Sequence, residues 1–465
     1  MDPNVLKSQF EGKRIAILGF GKEGQSTFRY IRKMLPEQQL IICDRNAELR
    51  KSSFEGISFR HTILHLGDRY THGIMDAELV IKSPGIPLSQ IESATRNTRL
   101  TSQTELFLEV ARRQVVGITG TKGKSTTASL LFDILKNAGK RVLLAGNIGI
   151  PCFDLIDQID PETTVVFEMS SHQLEQISVS PHMAILLNIF EEHLDHYPSL
   201  DHYRLAKLNI AKWQYETDYL ICNQDDDTIS RLLNTIVYKG KIVSLGGRES
   251  IAGSIVREAD DLVFRSPNKK ICIKGVVAKR NLPGDHNLIN IASASAAALL
   301  LDVDADTIEH TINAFKGLPS RLEYVGRFNK VDYYNDSIAT IPEATMAALQ
   351  TLPETSTLIL GGKDRGIDYA PMMHYLAGSS LKTIVFTGNA GKRMLDISSV
   401  DNIPADKQYL LAKDFEEAVS LAVKHSLPGS VCLLSPAASS YDAFRNFEER
   451  GLRFKQLVSL FASDS

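Results

Sequence analysis

The chain has 465 residues, 43% hydrophobic and 23% charged, with 52 basic against 55 acidic side chains and a net charge of −3. That composition suits a folded globular protein of about three domains and leaves no overall basic field to attract nucleic acid. No run approaches the roughly 18 apolar residues of a membrane span. The opening MDPNVLKSQFEGKR lacks the apolar core of a signal peptide, and five dispersed cysteines without a C-x-x-C pair indicate neither a disulfide framework nor a zinc site. A cytoplasmic protein without nucleic-acid or membrane partners is expected.

Short runs of Val, Ile and Leu alternate with helical stretches, the rhythm of parallel sheets covered by helices. The first strand, Arg14 to Leu18, runs into the turn Gly19-Phe20-Gly21-Lys22-Glu23-Gly24 and a helix. Strands Leu40 to Cys43 and Leu79 to Lys82 follow, the first ending at Asp44 and the second at Ser83-Pro84-Gly85. These make a small doubly wound domain. Val115 to Ile118 opens a second unit and feeds a glycine-rich turn, then a helix from Ser125 to Asn137. Along that helix Leu130, Leu131, Ile134, Leu135 and Ala138 repeat at three-four spacing. Strands are expected at Val142–Leu144, Val165–Met169, Ala184–Ile189 and Tyr219–Cys222, and an Ala-rich helix after the Pro-Gly turn up to Leu301. Beyond Gly317-Leu318-Pro319-Ser320 a third unit has strands at Val331–Tyr334, Thr357–Leu360, Thr383–Phe386 and Val431–Leu434.

The segment Gly120-Thr121-Lys122-Gly123-Lys124-Ser125-Thr126 sits between strand and helix, where a phosphate-binding loop belongs. Glycines turn backbone N–H groups toward phosphate oxygens. Lys124 can reach terminal phosphates, and the Ser125 hydroxyl can ligate Mg²⁺. Ile118 stands where the common pattern has its first glycine, so the loop is a variant.

Gly19-x-Gly21-x-x-Gly24, with Asp44 twenty residues on, fits a dinucleotide fingerprint. The residues alone leave three readings open: a nicotinamide site, close helix–strand packing, or a nucleotide carried by the substrate. Glu168, at a strand end, can complete a Mg²⁺ shell or be a surface carboxylate. In Asn188 to His196, His193 or His196 could bind a metal or be structural. Lys207 reads by default as a solvated lysine. Arg321 and Asp336 could clamp phosphate and accept from a ribose hydroxyl, or form a salt bridge between domains.

In order along the chain, the segments 120–126, Gly-Asn-Ile-Gly (146–149), Glu-Met-Ser-Ser-His-Gln-Leu-Glu (168–175), Glu-Glu-His-Leu-Asp-His-Tyr (191–197), Ala-Lys-Leu (206–208), Gly-Asp-His-Asn-Leu-Ile-Asn (284–290), Leu-Pro-Ser-Arg-Leu-Glu (318–323), Asn-Asp-Ser (335–337) and Gly-Gly-Lys-Asp-Arg-Gly (361–366) resemble the Mur ligases of peptidoglycan synthesis. The segment Ser435 to Gly451 resembles the branch that adds D-glutamate. The resemblance implies an α/β protein of three domains, two Rossmann-like doubly wound domains flanking a central P-loop-type ATPase domain. Its expected parts are 1–103 for the UDP-substrate, 104–317 for ATP and 318–465 for the amino acid.

The resemblance also implies site residues. Gly19, Gly21, Lys22, Glu23, Gly24, Asp44, Arg45, Ser83, Pro84 and Gly85 would hold the UDP of UDP-N-acetylmuramoyl-L-alanine. ATP would contact Gly120, Thr121, Lys122, Gly123, Lys124, Ser125, Thr126, Thr127, Asn290, Arg321 and Asp336. Two Mg²⁺ ions would be held by Ser125, Glu168, His193 and a carbamylated Lys207. Asn147 would act beside Lys124, His193 and Lys207 in catalysis, and Thr340, Arg365, Ser440 and Phe447 would surround D-glutamate. Lys122 replaces a common asparagine, Ile338 stands where many relatives have lysine, and Arg365 where some do. The implied reaction activates the alanine carboxylate as an acyl phosphate, which the D-glutamate amine then attacks, in a monomer that closes its domains over three small substrates.

Overall fold

The computed structural model describes residues 3–49, 60–91, 95, 98–146, 149–190, 196–248, 250–282, 284–400 and 406–463. The chain forms two compact units, Met1–Lys279 with Asp285–Asn313, and Arg280–Gly284 with Ala314–Ser465.

The first unit holds two sheets. The smaller comprises β1 (Ile15–Leu18), β2 (Leu40–Asp44), β3 (Thr62–Leu66), β4 (Leu79–Lys82) and β5 (Arg99–Thr101), all parallel, in the order β3-β2-β1-β4-β5. β1 and β4 are buried along their whole length, as strands covered on both faces must be. The strand order reverses at β1, so the loops after β1 and β4 lead away from each other and open a crevice at the carboxyl ends. β3 and β5 escape a reading by apolar runs because β3 is only partly buried and β5 has three residues.

The larger sheet adds β6 (Val115–Thr119), β7 (Val142–Gly146), β8 (Thr164–Glu168), β9 (Met183–Leu186), β10 (Tyr219–Cys222), β11 (Lys241–Leu245), β12 (Ser254–Glu258), β13 (Asp261–Ser266) and β14 (Lys269–Ile273). Their order is β14-β13-β12-β11-β10-β9-β6-β8-β7. β13 joins β12, and β14 joins β13, in antiparallel fashion. The helix Lys124–Asn137 leaves β6 and buries Leu130, Leu131, Ile134 and Leu135. The helix His286–Leu300, whose small residues from Ala292 to Ala298 are all buried, packs against it. β9 ends at Leu186, earlier than the apolar run to Ile189 suggests. The next residues instead serve β6 and its loop: Leu187 N donates to Thr119 O at 3.0 Å, and Thr121 N donates to Asn188 O at 2.9 Å.

The second unit is built on β15 (Glu323–Phe328), β16 (Val331–Asn335), β17 (Thr355–Gly361), β18 (Thr383–Thr387), β19 (Gln408–Leu411) and β20 (Val431–Leu434), in the order β15-β16-β20-β17-β18-β19. β15 is an antiparallel edge strand and the rest are parallel. The protein is therefore α/β with three mostly parallel sheets. Among the described residues no helix is long and apolar enough to cross a membrane.

Candidate active site

The loop between β6 and the helix Lys124–Asn137 is held from several sides. Gly123 caps the helix with φ +88°, a left-handed conformation that costs a residue with a Cβ about 1–2 kcal/mol. A Cβ there would also collide with Asn290 Oδ1. Asn290 is buried, accepts from Thr127 Oγ1 at 3.3 Å and donates to Asn287 Oδ1 at 2.9 Å. Lys122 N donates to Asn188 Oδ1 at 2.9 Å, while Asn188 Nδ2 donates back to Lys122 O at 3.1 Å. Thr121 Oγ1 lies 2.8 Å from the buried Tyr203 hydroxyl and accepts from Phe190 N at 2.9 Å. Gly120 is pressed against Leu187, whose Cβ would be 2.9 Å from an added methyl. Ser125 and Thr126 are nearly buried in the first helical turn, where backbone N–H groups and the helix dipole favour an anion.

Two lysines converge on this loop. Lys124 Nζ donates to Gly120 O at 2.8 Å and to Thr121 O at 2.9 Å. Lys207 Nζ donates to the same Gly120 O at 2.9 Å. Lys207 is therefore not the solvated surface residue that its type suggests: it is 1% exposed, on the helix Leu200–Lys212. Its ammonium stands 4.7 Å from the Tyr203 ring centroid, one helical turn away. Glu168 is not a surface carboxylate either. It ends β8 fully buried, opposite Ile118 of β6, two residues before Gly120. Tyr203 and Asn188 earned no role from sequence. The four-residue step from Tyr203 to Lys207 on a helix is the signal that could have pointed to the tyrosine. Asn147 and His193 lie outside the described residues. Among the described residues no group of three or more His, Cys, Asp and Glu is placed to hold a metal ion.

The crevice of the smaller sheet forms a cleft of about 490 Å³, lined in part by Gly19, Asp44, Arg45, Tyr70, Gly85 and His196. Asp44 organises the turn, accepting from Phe20 N at 2.6 Å and from Asn46 N at 2.7 Å. Ser83 Oγ donates to Gly19 O at 2.9 Å, tying the loop after β4 to the loop after β1. Gly19 has φ +84°, and a Cβ at Gly24 would strike the Gly19 carbonyl, so the helix Lys22–Met34 can start this close only with glycine there. Gly21 is the N-cap of that helix and Lys22 its exposed first residue. Glu23 turns inward instead, accepting from Gln173 Nε2 at 2.6 Å, and burial raises its carboxyl above the usual range. Pro84 is half-buried in the turn after Ser83.

In the second unit, loops after β16, β17 and β20 gather at the carboxyl ends of the strands. Arg365 Nη2 reaches Thr340 O at 3.5 Å. Ser440 is buried, and Phe447 begins the helix Phe447–Ser463. Arg450, on that helix and 2% exposed, braces the three loops, donating to Ser337 Oγ (2.9 Å), Ser337 O (2.8 Å), Ala438 O (3.1 Å) and Gly361 O (3.4 Å). Burial lowers its guanidinium to about 10, with Asp442 acting the other way. Asp336 accepts from Ser435 Oγ at 2.9 Å and from Leu322 N at 3.1 Å, and burial raises its carboxyl to about 7 despite Arg321, which is itself exposed.

A glycine-lined strand-to-helix loop with two lysines, a buried carboxylate on the adjoining strand end and a second crevice on a doubly wound sheet are the arrangement that suits an α/β protein for phosphorylated ligands. Comparison with known proteins carries this further. The Mur ligase middle domain matches residues 118–298 and the Mur ligase glutamate ligase domain residues 320–438. The UDP-N-acetylmuramoylalanine–D-glutamate ligase of Symbiobacterium thermophilum is 34% identical over 454 residues, covering 96% of this chain and 98% of the relative. The enzyme of the same name from Acetivibrio thermocellus is 32% identical, covering 98% of each. The chain belongs to the Mur ligase family. Solved structures agree in fold: a pseudomurein peptide ligase type C from Methanothermus fervidus (TM-score 0.54) and the UDP-N-acetylmuramate-alanine ligase of Thermotoga maritima (0.53) are each 17% identical and cover 97% of this chain and 100% of their own.

Proposed function

We infer that the protein is an ATP-dependent amide ligase that adds D-glutamate to UDP-N-acetylmuramoyl-L-alanine in peptidoglycan precursor synthesis. The observation that carries this reading is the meeting of Lys124 and Lys207 at the Gly120 carbonyl, in a chain whose relatives of that name align over nearly its full length.

A carboxylate resists attack by an amine because resonance and charge both oppose it, and phosphorylation supplies a leaving group. The loop N–H groups and Lys124 would bind the terminal phosphates of ATP and neutralise charge on the group in transfer. The near-burial of Ser125, Thr126 and Lys207 keeps water from that place. Oxygen donors at Ser125 and Glu168 suit Mg²⁺, which would add positive charge beside the phosphates. A carbamylated Lys207 would be a further oxygen ligand, since adding CO₂ to the neutral amine turns a cation into an anion. Asn147 and His193 are proposed to share in catalysis, His193 at a second Mg²⁺.

The division of labour is proposed as 1–103 for the UDP-sugar, 104–317 for ATP and 318–465 for the amino acid, with Thr340, Arg365, Ser440 and Phe447 around D-glutamate. Phosphate release from ATP and Mg²⁺ tests the reading. It should require both UDP-N-acetylmuramoyl-L-alanine and D-glutamate, and L-glutamate or L-lysine should not replace the latter. Equal rates with all three amino acids, or none with D-glutamate, would refute it.

A further inference from the structure

Lys82 is the last residue of β4 and is 2% exposed, a place that a lysine takes only with partners. Its Nζ donates to Ile86 O at 2.9 Å and reaches Ser83 O at 3.5 Å, across the turn that forms one wall of the 490 Å³ cleft. On its other side it stands 3.6 Å from Glu175 Oε2. Glu175 closes the helix Ser171–Leu174, which follows β8 and packs against the helix Leu200–Lys212. The same Oε2 lies 3.7 Å from Nε2 of His196, which also lines the cleft. Among the described residues neither Glu175 Oε2 nor His196 Nε2 has a hydrogen-bond partner within 3.5 Å, so the longer Lys82–Glu175–His196 contacts are what each of these atoms has. Burial lowers the Lys82 ammonium, opposed by Glu175 and then by Glu23.

We propose that Lys82 is a positioning residue: it ties the turn from Ser83 to Ile86 to His196 through Glu175, and so holds these two parts of the lining of the nucleotide-sugar cleft in one geometry. The proposal rests on assigning that cleft to the UDP-substrate. A direct tie of this kind matters because small displacements of a bound reactant cost far more in rate than in protein stability. Among the described residues, the side chains within ion-pair distance of Glu175 are Lys82 and His196.

The test uses the full-length enzyme with K82M, E175Q and the double variant, since K82M alone strands a buried carboxylate and the double change removes both charges. Steady-state KM is read for each of the three substrates, with UDP binding by calorimetry and the melting temperature alongside. The expected result is a rise of about tenfold in KM for the UDP-sugar and in the Kd for UDP, with the ATP KM within about twofold. The double variant should be no worse than K82M, because the two residues act as one tie. Unchanged UDP affinity in K82M, or parallel rises in all three KM values that track a fall in melting temperature, would overturn the proposal. Wild-type protein that fails to bind UDP would instead overturn the cleft assignment, and the Lys82 role with it.

Discussion

Lys124 and Lys207 lie 83 positions apart in sequence and share one acceptor, the carbonyl oxygen of Gly120, at 2.8 and 2.9 Å. Both side chains thus act on the loop proposed to bind the terminal phosphates of ATP. Lys124→Ala should lower kcat by about 10²–10³-fold, the range for removing a preorganised electrostatic group, without loss of the folded state by circular dichroism. A normal rate would remove Lys124 from the chemistry. Lys207→Ala should also impair turnover, with partial recovery when a short-chain carboxylic acid is added. A variant rate equal to wild type without additive would show that the carbamate is not used.

Gly123→Ala tests the loop's backbone. The left-handed φ and the collision with Asn290 both oppose a methyl group. The expected outcome is ATP affinity at least about tenfold weaker, from about 1–2 kcal/mol of backbone strain plus displacement of Asn290. UDP affinity should be unchanged. Titration with each nucleotide separates the effects, and equal losses for both would place the damage outside the loop.

Asp44→Ala removes the acceptor for Phe20 N and Asn46 N and frees the turn after β1. The KM for the UDP-sugar should rise more than that for ATP, and the comparison of the two is the measurement. Equal changes would contradict the assignment of the crevice to the UDP-substrate.

Asp336 gives a pH prediction with a definite sign. Its folded carboxyl titrates near 7, against 3.8 for the ordinary group, chiefly because burial disfavours its charge. The folded state therefore binds more protons than the unfolded chain between these values, and the stabilisation from the protonated form is complete below about 3.8 and lost as pH rises through about 7. Asp336→Asn should remove this component, so wild type should lose stability relative to the variant between pH 4 and 7. Urea midpoints for both proteins across that window check it, and parallel curves would show that Asp336 is charged throughout.

Legibility in the sequence followed the range of the interactions concerned. β4, β10 and β20 coincide with the runs Leu79–Lys82, Tyr219–Cys222 and Val431–Leu434, since a strand buried on both faces is a largely apolar stretch, broken in β4 only by Lys82 at its end. The region from β11 to β14 was not legible, because its strands mix charge with apolar residues and leave part of their surface wet. Glu168 and Lys207 were found through family motifs; their burial was not visible in residue type. Lys82 was visible only as a strand end.

By itself the sequence determined the strand-to-helix loop from Gly120 to Thr126, because seven consecutive residues between an apolar strand and an amphipathic helix specify a backbone turn locally, and glycine's freedom at Gly123 is intrinsic. It also determined the family, through motifs in a constant order. Tertiary structure alone decided which charged groups left water. Lys82 and Lys207 have the same side chain as any surface lysine; for Lys207 the compensating carbonyl is that of the distant Gly120, and for Lys82 the nearby Ile86 carbonyl is joined by the carboxylate of the distant Glu175, so that partners brought in by the fold offset the lost hydration.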